Sequence, residues 1–189
     1  MSAAKPIRDP ERTREAILSA AERLIVQKGF QAFTLDEVAQ GASVSKGGVL
    51  HHYPNKHALL AGLAQQMLQE EDADIEEYLR KDPKAPGAYT RAFLRAHIAY
   101  MEEGCSRLCA ELFSEMRNVP GMQERIAAHV AKTQERLAND GLDPVTASII
   151  SHAASGMMSG FIWGLPRPKN FDQIVKRLVE MSGGDSSSV

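Results

Sequence analysis

Apolar residues recur three and four apart along almost the whole chain, and nowhere do they alternate in the manner of a strand. Ile17, Leu18, Ala21, Leu24 and Ile25 make one stripe of a first helix, which Gly29 is placed to stop. Thr34, followed three residues later by Glu37, is a capping-box signature; behind it Leu35, Val38 and Ala39 face a core, and Gly41 is read as the end of this short helix. Ser45 is a candidate N-cap for the next helix, which runs to about His52 or Tyr53, where Pro54 withdraws a backbone donor. Asn55 can cap a fourth helix whose stripe is Leu59, Leu60, Leu63 and Met67 and which ends near Lys81. Residues 82–87, with two prolines and a glycine, form a turn-rich connector.

Beyond the connector the period stays helical. Phe93, Leu94, His97, Ile98 and Met101 mark a helix over 89–103, and further helices follow over 105–118 and 122–139. Asp143 caps a long helix with Pro144 at its first position, where proline fits, and the pattern carries on to about Trp163. Asn170 can cap a last helix to about Met181, and the tail over 182–189, small and polar, is expected to be disordered. The class is all-α with about nine helices. An N-terminal three-helix unit at 11–71 precedes a larger helical domain at 72–189.

Residues 34–53 carry the chemistry. A short helix, a tight turn and a second short helix bearing Lys46, His51 and His52 have the spacing of a helix-turn-helix, whose second helix enters the DNA major groove. Gly47 and Gly48 each cost that helix about 0.8–1 kcal/mol against alanine, and their missing side chains let its backbone come close to something; the alternative is a loop at 45–48. Lysine can donate to guanine or to phosphate, and histidine can do either with a charge that changes near neutral pH. Lys56 and Thr34, at helix N-termini, are placed to hold phosphates. The candidate DNA contacts are therefore Thr34, Ser45, Lys46, Gly47, Gly48, His51, His52, Tyr53 and Lys56.

Composition sharpens this only in its distribution. The chain has 189 residues, 43% apolar and 24% charged, with a net charge of −2. Residues 1–57 hold 8 Lys and Arg against 6 Asp and Glu, with His51, His52 and His57 in addition; the remainder holds 14 against 18. A mildly basic end and a mildly acidic end suit a DNA-facing unit and one that does not face DNA. The acidic run Glu70, Glu71, Asp72, Asp74, Glu76, Glu77 is read as a solvated helix face. No unbroken apolar run approaches eighteen residues, so no membrane span is expected. The N-terminus lacks an apolar core for a signal peptide, and a cytoplasmic location is expected. Two cysteines do not make a disulfide framework.

Residues 11–67 resemble the TetR family of bacterial one-component transcription regulators. The likeness rests on a first helix of the form TREAILSAAERLIVQKGF and on Thr34, Val38, Ala39, Gly41, Ser45, Lys46, Gly47, His52, Tyr53, Pro54, Lys56, Leu59 and Leu60 at fixed spacing. It implies a homodimer that binds a palindromic operator through the N-terminal unit and a small, hydrophobic effector through the C-terminal one, most simply as a ligand-released repressor. Two positions depart from the family pattern: Gly48 stands where threonine is common, and Leu50 where tyrosine is.

The C-terminal domain supplies candidates for both remaining roles. Small residues line the helix from Pro144, with Gly156, Gly160 and Gly164 every four, a spacing that lets two helices approach closely. The candidate dimer interface is Ser148, Ser151, Ser155, Gly156, Ser159, Gly160, Ile174 and Leu178. Candidate ligand contacts are Met67, His97, Tyr100, Met101, Cys105, Cys109, Phe113, Met116, Met157 and Phe161, the methionines because they adapt to varied shapes. Cys105 and Cys109, one helical turn apart, leave open a metal- or redox-sensing variant, although a closed zinc site wants four ligands. No cofactor is expected. No nucleophile motif, phosphate loop or HExxH is present, so an enzyme is not expected. A helical scaffold for protein partners is the other alternative.

Overall fold

The structure, a computed structural model, describes residues 9–82, 86–103 and 106–184, the side chains of 103, 106 and 107 excepted. Nine α-helices and no strand are found among them: α1 (Pro10–Lys28), α2 (Leu35–Gly41), α3 (Lys46–His52), α4 (Lys56–Lys81), α5 (Ala88–Glu103), α6 (Ser106–Met116), α7 (Met122–Ala138), α8 (Pro144–Ile162) and α9 (Phe171–Met181). They fall into two compact units. One holds the described residues of Met1–Gln66 with Glu111–Met122, the other those of Met67–Ala110 and Gln123–Val189. The chain changes unit inside α4, inside α6 and at the start of α7.

In the first unit α1 packs on α2 and α2 on α3. Ile17, Ile25, Val38, Val49, Leu59 and Leu60 are all fully buried there. Thr34 and Glu37 form the capping box: the Thr34 hydroxyl accepts from the Glu37 amide at 3.2 Å, and the Glu37 carboxylate accepts from the Thr34 amide at 2.9 Å. Ser45 caps α3 by accepting from the Gly48 amide at 3.1 Å, so Lys46–Gly48 are helical and not a loop. Asn55 caps α4 by accepting from the Ala58 amide at 2.8 Å.

Gly41 ends α2, as expected, and the turn itself is made by the residues after it. The left-handed residue is Ser43, at φ 55°, a conformation that costs an L-residue about 1–2 kcal/mol. A Cβ on Gly41 would stand 3.2 Å from the Ala20 side chain, so the glycine is there to let α2 close on α1.

In the second unit α5 packs principally on α8. Tyr89, Phe93 and Leu94 meet Ile150 and Ala154 of α8, Leu137 of α7 and Leu178 and Val179 of α9. Asp140, fifty residues downstream, caps α5 by accepting from the amides of Tyr89 and Thr90 at 2.9 and 2.8 Å. Residues 182–184 are ordered, contrary to expectation: Ser182 is wholly buried and its carbonyl accepts from the Arg91 guanidinium at 2.7 Å. Residues 185–189 lie outside the described residues.

Two further features add to what was expected. The acidic run of α4 is solvated at Glu70, Asp74, Glu76 and Glu77, as expected, but on one side α7 presents a base at matching heights. Asp72 meets Lys132 at 2.8 Å, Glu76 pairs with Arg136, and Glu71 lies between His97 and His129. By length and composition α8 is long and apolar enough to cross a bilayer, and it is the one such helix among the described residues. Its apolar run is broken by serines and His152, although its average is apolar. Only 22% of that stretch is buried within the subunit. Pro144, Val145, Ser148, Ile149 and His152 form a shallow open groove along it, of about 410 Å³.

Candidate nucleic-acid interface

α3 is anchored from below and bare above. Val49 is fully buried, while Lys46, Gly47, Leu50 and His51 are exposed. At about 100° per residue these four positions share one side of the helix. Lys46 donates to Asp36 at 2.8 Å, both side chains more than half exposed. Such a surface pair contributes only about 0–1 kcal/mol, so an arriving phosphate can take the ammonium over. His51 and His52 stand edge to face, 5.5 Å apart. A Cβ on Gly47 would meet nothing closer than the Ser45 hydroxyl at 4.0 Å, so no packing within the subunit calls for glycine there.

Two of the nine candidates are engaged within the subunit. Tyr53 is buried, its ring lying against Gly62 and its hydroxyl accepting from Arg14 Nε at 3.1 Å. Lys56 donates to the carbonyls of Phe30 and Gln31 at 3.2 and 3.0 Å and lies over the Phe33 ring at 4.5 Å. Two of its three donors thus hold the 29–33 turn, and its charge is satisfied by carbonyls and a ring face. The same turn is held from α6, where Glu111 accepts from the Phe30 amide at 3.0 Å and Glu115 from Gln31 at 2.8 Å. That tie spans eighty residues, and no local sequence signal marks it.

The candidate ligand contacts do not form one lining. Met101 sits with Phe171 and Val175, flanked by Met157 and Phe161. The Tyr100 hydroxyl and the Cys109 sulfur are 2.7 Å apart, Cys109 being wholly buried. Phe113 and Met116 belong to the first unit instead, Phe113 being 45% exposed, because α6 changes unit at Glu111. Met67 is half-buried at the second unit's first position, and Cys105 lies outside the described residues. No three His, Cys, Asp or Glu side chains among the described residues are disposed to hold a metal ion.

His97 donates from Nδ1 to the Phe93 carbonyl at 3.0 Å and turns Nε2 toward Glu71 at 3.7 Å; His129 Nε2 lies 3.3 Å from the other Glu71 oxygen. Burial pushes the His97 imidazole below its ordinary value of 6.5, and outweighs the opposing pull of Glu71. The folded protein therefore binds this proton less readily than the unfolded chain. The contribution to stability is fully present above pH 6.5 and is lost as pH falls through the lower folded value. Urea midpoints between pH 7.5 and 5 should fall for the wild type and flatten for His97→Gln; equal slopes in the two would refute this.

Of the candidate dimer residues, Ser148, Ser155, Gly156 and Ser159 are exposed, and Gly160 and Ile174 are half-buried. Ser151 and Leu178 face inward, at 2% and 5% exposure, and are not available to a partner. Their phase puts them on the core side of α8 and α9.

A family model described as "Bacterial regulatory proteins, tetR family" matches residues 17–63, and one described as "Tetracyclin repressor-like, C-terminal domain" matches residues 87–183. The Transposon Tn10 TetC protein of Escherichia coli is 40% identical over 63 residues, 33% of this chain and 32% of that protein. The transcriptional regulator AcrR of Shigella flexneri is 26% identical over 187 residues, 90% of this chain and 86% of AcrR. Thus the chain spans about a third of the length of the first of these relatives and most of the second. The structure of the multidrug binding protein EbrR complexed with malachite green superposes with a TM-score of 0.66 at 20% identity, over 93% of this chain and 98% of that one. The fold is shared at that level, the helix-turn-helix falls inside one matched segment, and the second matched segment alone covers more than half of the sequence. The chain belongs to the tetR family of bacterial regulatory proteins.

Proposed function

We propose that the protein is a ligand-responsive transcriptional repressor that binds a palindromic operator as a homodimer in the cytoplasm and is released by a small, hydrophobic effector. The observation that carries this is the bare face of α3, with Val49 locked in the core beneath it and Lys46, Gly47 and His51 outside. Thr34, Ser45 and Gly48 lie at the capped N-termini of α2 and α3, where amides and a helix dipole attract phosphate. His52 completes the set at the C-terminal end of α3.

The exposed apolar side of α8 suits a second copy of the chain. An uncovered stripe of Val145, Ile149 and Trp163 among small residues is more apolar surface than water favours, and a two-fold pair presents two recognition helices to two half-sites. For the effector, the Met101, Met157 and Phe161 cluster is adaptable in shape, and EbrR, of the same fold, holds malachite green. To take the operator from mostly occupied to mostly free, the effector must prefer the released state by about 5.5 kcal/mol.

The test is binding to duplex fragments from around the protein's own gene across a salt series. Sequence-preferring, salt-sensitive binding is expected, and Lys46→Ala should weaken it and reduce the salt slope by about 1 per subunit. Binding without sequence preference, or none, would overturn the reading.

A further inference from the structure

The centre of the α3 face is apolar. Around the helix, at about 100° per residue, the exposed positions run in the order Lys46, Leu50, Gly47, His51. Lys46 leans to one edge, toward Asp36, and His51 stands at the other beside His52. Between them lie a leucine, 38% exposed, and a glycine with open space above it. When such a helix enters a groove, its edges meet the phosphate walls and its centre meets the base edges. Leu50 therefore points to the groove floor, and Gly47 removes the side chain that would hold it off.

Base edges in the major groove are donors and acceptors, with one apolar exception, the C5-methyl of thymine. A leucine pressed on any other edge would strip water from a polar group and return nothing to it. We infer that Leu50 is a specificity-determining residue that packs on a thymine methyl in each operator half-site. This rests on the operator-binding reading above and adds the base that is read.

Deoxyuridine differs from thymine only by lacking that methyl, which makes the test direct. With the full-length protein, a duplex selected from a randomised pool is resynthesised with each thymine in turn replaced by deoxyuridine, and wild type and Leu50→Ala are titrated against every version. At one thymine per half-site, wild-type affinity should fall about fourfold, the equivalent of one buried methyl, while Leu50→Ala should not distinguish the two bases. Because Leu50 is partly exposed and its neighbour Val49 carries the packing, the variant should keep the wild-type thermal midpoint. If every replacement is tolerated by the wild type, or if the sensitive thymine is equally sensitive in Leu50→Ala, the inference fails and the regulator stands. If no duplex is enriched from the pool, the operator-binding reading fails and takes this with it.

Discussion

Replacing Arg91 with methionine is expected to lower the stability of the second unit by about 3 kcal/mol, read as a drop in the urea midpoint. Arg91 is 2% exposed. Its Nε donates to Asp82 at 2.8 Å, and its Nη1 donates to the Pro86 carbonyl at 3.0 Å and the Ser182 carbonyl at 2.7 Å. One guanidinium thus ties the segment before α5 to the residue that follows α9, across ninety-one positions of chain. Methionine fills much of the volume but gives no proton to those carbonyls. Each buried acceptor left unpaired costs about 1–3 kcal/mol. Asp82, 22% exposed, can turn to water and adds less. Arg91→Lys should recover only part of the loss, since one ammonium cannot reproduce the planar fork. A midpoint shift worth under about 1 kcal/mol for methionine would show that water satisfies the carbonyls equally well.

The second large effect concerns the first unit. Alanine at position 62 should weaken DNA binding and destabilise, where a helix interior ordinarily favours alanine over glycine by about 1 kcal/mol. Gly62 lies within α4, and a Cβ there would stand 2.6 Å from Tyr53 Cε1 and 3.0 Å from its hydroxyl oxygen. The ring cannot swing freely, being buried with its hydroxyl held by Arg14 at 3.1 Å. Overpacking of this kind costs about 1–3 kcal/mol, so the clash outweighs the propensity. Tyr53 directly follows α3, and moving it moves the recognition helix. The contrast is a double-mutant cycle with Tyr53→Leu, in which the alanine should become neutral or stabilising once the ring is gone. If Gly62→Ala alone raises stability and leaves DNA affinity unchanged, Tyr53 does not set the position of α3.

Much of the local architecture was legible in the residues. Thr34 with Glu37, Ser45 and Asn55 announced three helix starts, and each makes the expected capping bond. The exposed face of α3 followed from the same short-range pattern, because a cap fixes where a helix begins and hence which residues point together. The gaps share a cause. Gly41 ends α2 as its place in the sequence suggested, but its close approach to Ala20 is a contact that spacing along the chain does not display. Lys56 has the helix-start position of a phosphate ligand, yet in the fold its ammonium donates to the carbonyls of Phe30 and Gln31. Ser151 and Leu178 had the right period for an interface, yet periodicity gives the phase of a helix and not the identity of what covers it.

Helix existence, helix ends and the kinship to a DNA-reading family are short-range facts, written in hydrogen bonds that close within four residues and in fixed spacings. What the chain could not announce lies in pairs far apart along it: Asp140 at the start of α5, Glu111 on the 29–33 turn, Arg91 on the Ser182 carbonyl, and Glu71 between His97 and His129. Those pairs form only after helices dock, when apolar burial sets the helices side by side and whichever polar groups then coincide must satisfy one another.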